Sequence, residues 1–139
     1  MDDRVERPED WDYGLTWFHG SQVELTKLRK GSSLSQNRQV AKAFSHRPVL
    51  VSISNDGNVK HNGTTPGYLY TIVGKIAAED VRPHPHPANA AHWEWLTNRV
   101  LVVELVAQTI VSDSERLSDD EIAELRNKQK RAGAKSLGE

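Results

Sequence analysis

Tyr13-Gly14-Leu15-Thr16-Trp17-Phe18-His19-Gly20 is the stretch on which the fold turns. It is rich in β-forming residues and stops at a glycine, which predicts a first strand ending beside exposed backbone. An imidazole at the end of a strand, followed at once by glycine, offers two kinds of contact. Gly20 lets a flat ring approach the main chain, whose N–H and C=O match a carboxamide, and His19 is placed to bond a ribose hydroxyl. Taken alone, His-Gly also reads as a turn carrying a surface histidine.

Outward from this strand, Glu24 to Lys30 spaces Leu25 and Leu28 as a short turn or helix does, and Gly31 to Ser35 reads as a turn with a short strand. Asn37 to Phe44 places Val40, Ala41 and Phe44 on one helical face, with Ser35 as the expected N-cap and Pro48 closing the unit. Val49 to Ile53 predicts a buried strand. The turn signals Asn55-Asp56-Gly57-Asn58 and His61-Asn62-Gly63 follow it. Gly67 to Val73 predicts a half-buried strand. A loop with Pro83, Pro85 and Pro87 comes next, long enough to do more than connect. Trp93 to Leu96 and Val100 to Val106, parted by Thr97-Asn98-Arg99, predict two further strands arranged as a hairpin. Ser118 and Glu121 form a capping box that opens a helix running to about Arg131 and ending at Gly133.

Strands outnumber helices, and few consecutive strands are separated by a full helix. This excludes a doubly wound sheet and favours an α+β fold. The expected organisation is a flexible arm over 1–12, one domain over 13–112, and a C-terminal helix and tail over 113–139.

Composition narrows the function classes. The chain has 139 residues, a single-domain length, and a formal net charge of -1, so the molecule as a whole has no basic field to gather nucleic acid. It contains no cysteine, which excludes a disulfide scaffold and a thiolate zinc site. The first residues form no apolar signal segment, and the longest apolar run, Val100 to Ala107, is too short to span a bilayer and contains Glu104. The expectation is a soluble cytoplasmic protein with no membrane partner. Neither a Rossmann glycine fingerprint nor a P-loop occurs.

Two further groups carry chemistry. In His92-Trp93-Glu94-Trp95-Leu96, strand alternation sets Glu94 on the face opposite both tryptophans, pointing to a cleft or to solvent. Beside such apolar groups a carboxylate becomes costly to ionise unless it has a partner. His84, His86 and His92 make an imidazole set, but Pro85 constrains them and neither carboxylate nor thiolate completes a zinc site. They read as a solvated loop, and no metal is expected.

The order of these pieces resembles the diphtheria-toxin and PARP branch of the ADP-ribosyltransferases. Trp17 to Ser21 is similar to that branch's opening strand, an aromatic followed by His-Gly-Thr/Ser, and Glu94-Trp95-Leu96-Thr97 to its catalytic-glutamate strand. Gly67 to Val73, continued to Glu79-Asp80, resembles the middle of the small bacterial rifamycin-modifying ADP-ribosyltransferases. The likeness spans roughly residues 16–107. It implies a split β-sandwich with small peripheral helices, NAD as co-substrate, nicotinamide release, and an unidentified acceptor that is a protein, a nucleic acid or a small molecule. His19 would bond the adenosine ribose and Gly20 would hold the nicotinamide amide, with Ser21 completing that motif. Glu94 would bond the 2′-hydroxyl of the nicotinamide ribose, with Asp80 as the rival catalytic carboxylate. Where the family carries a stacking aromatic, this chain has Ser32-Ser33-Leu34-Ser35, so either another ring, such as Tyr70, does the stacking or nicotinamide is held weakly. Losing one stacked ring costs about 0.5–1.5 kcal/mol beyond area burial. Two alternatives accompany this reading: a module that binds NAD or ADP-ribose without turnover, and an NAD-dependent RNA 2′-phosphotransferase. The second is disfavoured by the near-neutral charge and by the lack of a matching arginine and histidine set.

Overall fold

β1 (Phe18–Ser21) is the first element of a mixed α/β fold in a computed structural model that describes residues 8, 10–85 and 92–137, with side chains through Lys128. After it come β2 (Lys27–Leu28), β3 (Ser33–Leu34), α1 (Arg38–Ser45), β4 (Val51–Ile53), β5 (Val59–His61) and β6 (Gly67–Ile72). β7 (Val81–Pro83), β8 (Trp95–Thr97), β9 (Leu101–Thr109) and α2 (Asp119–Leu137) complete the chain. Among the described residues no helix is long and apolar enough to cross a membrane.

The strands form three antiparallel sheets, ordered β1-β6-β9-β2, β3-β8-β7 and β4-β5. Between the first two sheets lies the main core, centred on Trp95, which is fully buried. Trp11, Tyr13 and Trp17 pack around it with ring centroids 5.1, 5.7 and 5.4 Å away, the last two edge-on. Trp17 and Trp95 each satisfy the indole N–H on a backbone carbonyl, of Tyr13 and His92, so their apolar surface is buried at no polar cost. A smaller cluster of Val40, Ala43 and Val59 lies under α1, joined by Phe44 and Trp93.

α1 lies directly on β1 and β6, and two glycines permit it. A Cβ at Gly20 would stand 1.9 Å from the Ala41 oxygen, and one at Gly67 would stand 2.2 Å from the Ser45 oxygen.

Several sequence expectations are corrected. β8 and β9 are not a hairpin. The Asn98 N–H bonds the Asp80 carbonyl, Arg99 binds the Asp80 carboxylate, and the chain crosses to the other sheet. Glu24 to Lys30 contributes a short strand, because Leu28 enters the core while Lys27 stays exposed. Val81–Pro83, expected as loop, is a strand at the edge of its sheet, where a proline's missing N–H is tolerated. Asn37, not Ser35, caps α1, its side chain accepting from the Gln39 and Val40 N–H groups. Val49 is 84% exposed and β4 only half-buried, so this is not a core strand. α2 begins at the predicted capping box, with reciprocal Ser118 and Glu121 bonds, but runs through Gly133 to Leu137. Trp11, assigned to a flexible arm, packs on the core.

Candidate active site

β1 and β3 start as neighbours and then part. Phe18 and Ser35 exchange both backbone hydrogen bonds, at 2.7 and 3.0 Å. Beyond that bridge β1 stays with β6, while β3 pairs with β8 through Ser33↔Leu96 and Leu34↔Trp95. A continued ladder would set Ser33 opposite Gly20. Instead the side chain of His19 spans the fork, with Nδ1 2.6 Å from the Ser33 carbonyl oxygen.

A carbonyl only accepts, so the proton of the neutral ring is assigned to Nδ1, and Nε2 is left as an acceptor. Burial lowers the His19 pKa from the ordinary 6.5, against the opposing pull of the Ser33 bond, and holds the ring neutral at pH 7. Gly20 gains from the same fork. Phe18 turns its N–H and C=O toward Ser35, and strand alternation turns those of Gly20 to the same edge, where β3 has already left.

Glu94 approaches the fork from the other sheet. It lies one step beyond the Leu34↔Trp95 pair, beside Ser35, and its Oε2 accepts from the Ser33 hydroxyl at 2.9 Å. Its carbonyl accepts from the His84 N–H at 3.0 Å. Ser33 is therefore a hub: its carbonyl takes His19 and its hydroxyl takes Glu94. The expectation that Trp93 and Trp95 share one face fails. His92 has a left-handed backbone (φ 56°), β8 starts only at Trp95, and Trp93 packs under α1.

Other expected site residues go elsewhere. Asp80 is not at the fork. It aligns with Asn98, four steps along β8 from Glu94, roughly 13 Å at ~3.3 Å per residue. Its carboxylate accepts from Arg99 Nε at 2.7 Å and from the Ala77 N–H at 2.8 Å, and the Arg99 bond holds its pKa below the usual carboxylate range. Tyr70 neighbours His19 across the ladder, but its ring is 1% exposed and its hydroxyl accepts from the Leu25 N–H at 2.7 Å. It is a core latch and offers no stacking surface. Ser21 is buried, its Oγ accepting from the Val23 N–H. The space that Gly20 was expected to open for a flat ring is filled by α1, so only its backbone edge faces the fork. His86 lies outside the described residues, and the His92 ring packs on Trp11, 5.9 Å between centroids.

A second cluster was not anticipated. His46 from the end of α1, His61 from β5 and Glu115 bring three potential metal ligands within 4.8 Å of one another, all buried. Their protons argue against an ion. His61 Nδ1 accepts from the Gly63 N–H at 3.0 Å, so Nε2 carries the proton and donates to Glu115 Oε2, also at 3.0 Å. Lys42 Nζ contacts Glu115 Oε1, lies 3.4 Å from His46 Nε2, and bonds the Ile110 carbonyl at 2.9 Å. An ammonium already stands where a cation would bind. Burial pushes the Glu115 pKa up, but bonds from Lys42, His61 and Ser112 outweigh it and hold the group at about 2.

Comparison of the chain with protein-family models, with curated proteins and with solved structures finds no match in any of the three.

Proposed function

We propose that the fork between β1 and β3 binds NAD, and that Glu94 promotes transfer of its ADP-ribosyl group to an acceptor, on an ADP-ribosyltransferase-like split β-sandwich. The observation that carries this reading is the convergence of His19 and Glu94, from different sheets, on the single residue Ser33, beside the outward backbone edge of Gly20. Each group suits one part of the dinucleotide. The N–H and C=O of Gly20 match a carboxamide, and a neutral imidazole with a lone pair on Nε2 matches a ribose hydroxyl.

The reaction breaks the bond between nicotinamide nitrogen and C1′ of the ribose, and the bonding pair leaves with nicotinamide. An oxocarbenium-like cation forms and is captured at C1′ by the acceptor nucleophile. Hydrogen bonding to the 2′-hydroxyl strengthens as this charge develops, so a carboxylate fixed there stabilises the transition state more than bound NAD. Ser33 fixes one carboxylate oxygen of Glu94 in advance.

Nicotinamide release from NAD, with NAD binding measured in parallel, tests this. Wild type releases nicotinamide, and Glu94→Gln binds NAD but loses turnover. A Glu94→Gln protein that turns over as fast as wild type would remove Glu94 from the chemistry. The burial of Tyr70 and the serines at the family's aromatic position favour one second reading, an NAD-binding module without turnover. Binding without release in wild type would select it.

A further inference from the structure

We infer that Asn62 modifies itself: the main-chain nitrogen of Gly63 attacks the Asn62 carboxamide, His61 takes the proton, and the asparagine becomes an aspartyl or isoaspartyl residue. An Asn-Gly pair hinders such ring closure least, because glycine sets no side chain beside the attacking nitrogen. By sequence alone the pair is a turn signal. In the fold it meets a base, an orienting group for that base, and donors on the carbonyl under attack.

Gly63 N–H, the group that attacks, donates to His61 Nδ1 at 3.0 Å, within the reach required of a general base. On the far side of the ring, His61 Nε2 donates to Glu115 Oε2 at 3.0 Å, which fixes the tautomer with its lone pair on Nδ1. Glu115, with its pKa held at about 2, is ionised at neutral pH and stabilises the imidazolium that forms. Asn62 Oδ1 accepts from the Val49 and Leu50 N–H groups at 2.9 and 2.8 Å, the spacing of an oxyanion hole. Those two bonds polarise the carbonyl and strengthen as charge gathers on the same oxygen.

The new bond, from Gly63 N to Asn62 Cγ, closes a five-membered succinimide as the amide proton passes to His61 Nδ1. The tetrahedral carbon then expels its amino group, which takes that proton and leaves as ammonia. Water opens the ring. Attack at the side-chain carbonyl gives the aspartyl form, and attack at the main-chain carbonyl gives the isoaspartyl form. His61, Asn62 and Gly63 line a cavity of about 270 Å³ with Thr64 and Arg116, which has room for that water. The isoaspartyl form inserts one carbon into the main chain at a tight place, since a Cβ on Gly63 would stand 2.5 Å from the His46 carbonyl oxygen. The strain falls on the end of α1 and the cluster it shares with Glu115.

The test incubates the full chain at neutral pH and follows the tryptic peptide His61 to Lys75, in which Asn62 is the one asparagine, by mass spectrometry. A synthetic peptide spanning Val59 to Lys75 has the Asn-Gly pair without the fold and sets the reference rate. The folded chain is expected to convert Asn62 about 100-fold faster than the peptide, the low end for a positioned base, with ammonia released in step. His61→Gln keeps an amide donor and acceptor but no base, and is expected to fall back to the peptide rate while a thermal midpoint shows that it is folded. If that variant does not fold, wild type against the peptide decides alone. A folded wild-type chain that converts no faster than the peptide overturns the proposal, and so does a folded His61→Gln that converts as fast as wild type.

Discussion

Two histidine–glutamate clusters in this molecule are wired in opposite ways. Around Glu115, Lys42, His61 and Ser112 all donate to the carboxylate, and His46 is anchored through Nδ1 on the Thr65 carbonyl. The cluster joins α1, β5 and the turn before α2, and its polar groups are spent on one another. Around Ser33, the residue that serves both His19 and Glu94 is neutral and small, and the groups it orients come from two different sheets. A carboxylate held by a cation and several donors that are spent on one another is committed to stability, whereas Glu94 shares its orienting residue with His19.

Replacing the two glutamates separates these roles most sharply. Glu94→Gln is expected to lower nicotinamide release by about 10²–10³-fold, the usual consequence of losing one preorganised group aimed at developing charge. Glu115→Gln leaves the rate of the folded protein near that of wild type.

On stability the order reverses. Removing the Glu115 charge leaves Lys42 half-buried beside two imidazoles and costs about 3 kcal/mol, the low end for a broken buried pair because Lys42 reaches solvent. Glu94→Gln moves the thermal midpoint little. The pH dependence carries a sign. Glu115 is held near 2 against an ordinary 4.5, so its contribution is complete above about 4.5 and is lost as pH falls toward 2. Thermal midpoints measured across that window drop in wild type and drop less steeply in Glu115→Gln, where the other lowered carboxylates, Asp80 among them, remain.

Ser33→Ala probes the hub. Loss of a hydrogen bond to a charged group, about 1.5 kcal/mol, predicts roughly a tenfold fall in kcat with KM nearly unchanged. Ser33→Thr should restore most of it. A fall in KM and kcat together would instead mark Ser33 as a general support of the fork.

The smallest effect concerns His19. Because burial lowers the His19 pKa from 6.5 in the folded protein, the weakening of NAD binding, as Nε2 gains a proton and ceases to accept, is centred below pH 6.5. Isothermal titration on both sides of that pH checks it. A midpoint at or above 6.5 would mean that burial does not hold the ring neutral.

What the sequence disclosed was local. The β-run at His19-Gly20 and the Ser118–Glu121 box are written in neighbouring residues; the box stands whole, whereas the run expected over Tyr13 to Gly20 is a strand only over Phe18–Ser21, with Tyr13 and Gly14 in a turn. Trp95 and Leu101 were assigned to strands, yet which sheet each joins depends on the capture of Asn98 and Arg99 by Asp80, about 19 residues away. Glu94 was legible as a carboxylate between two indoles, but its orienting partner was not. Ser33 lies 61 residues from it, in a stretch read as a turn with a short strand and noted for lacking an aromatic. Lys42, His46, His61 and Glu115 escaped for the same reason, since no short motif joins residues from α1, β5 and the turn before α2.

The central claim is that the fork, not the second cluster, receives NAD. Amide chemical-shift mapping with uncleavable carbocyclic NAD tests it directly. The account predicts that Gly20 and Ser33 shift most, with His61 and Gly63 unmoved. Shifts centred on His61, Gly63 and Glu115, with Gly20 silent, would contradict it.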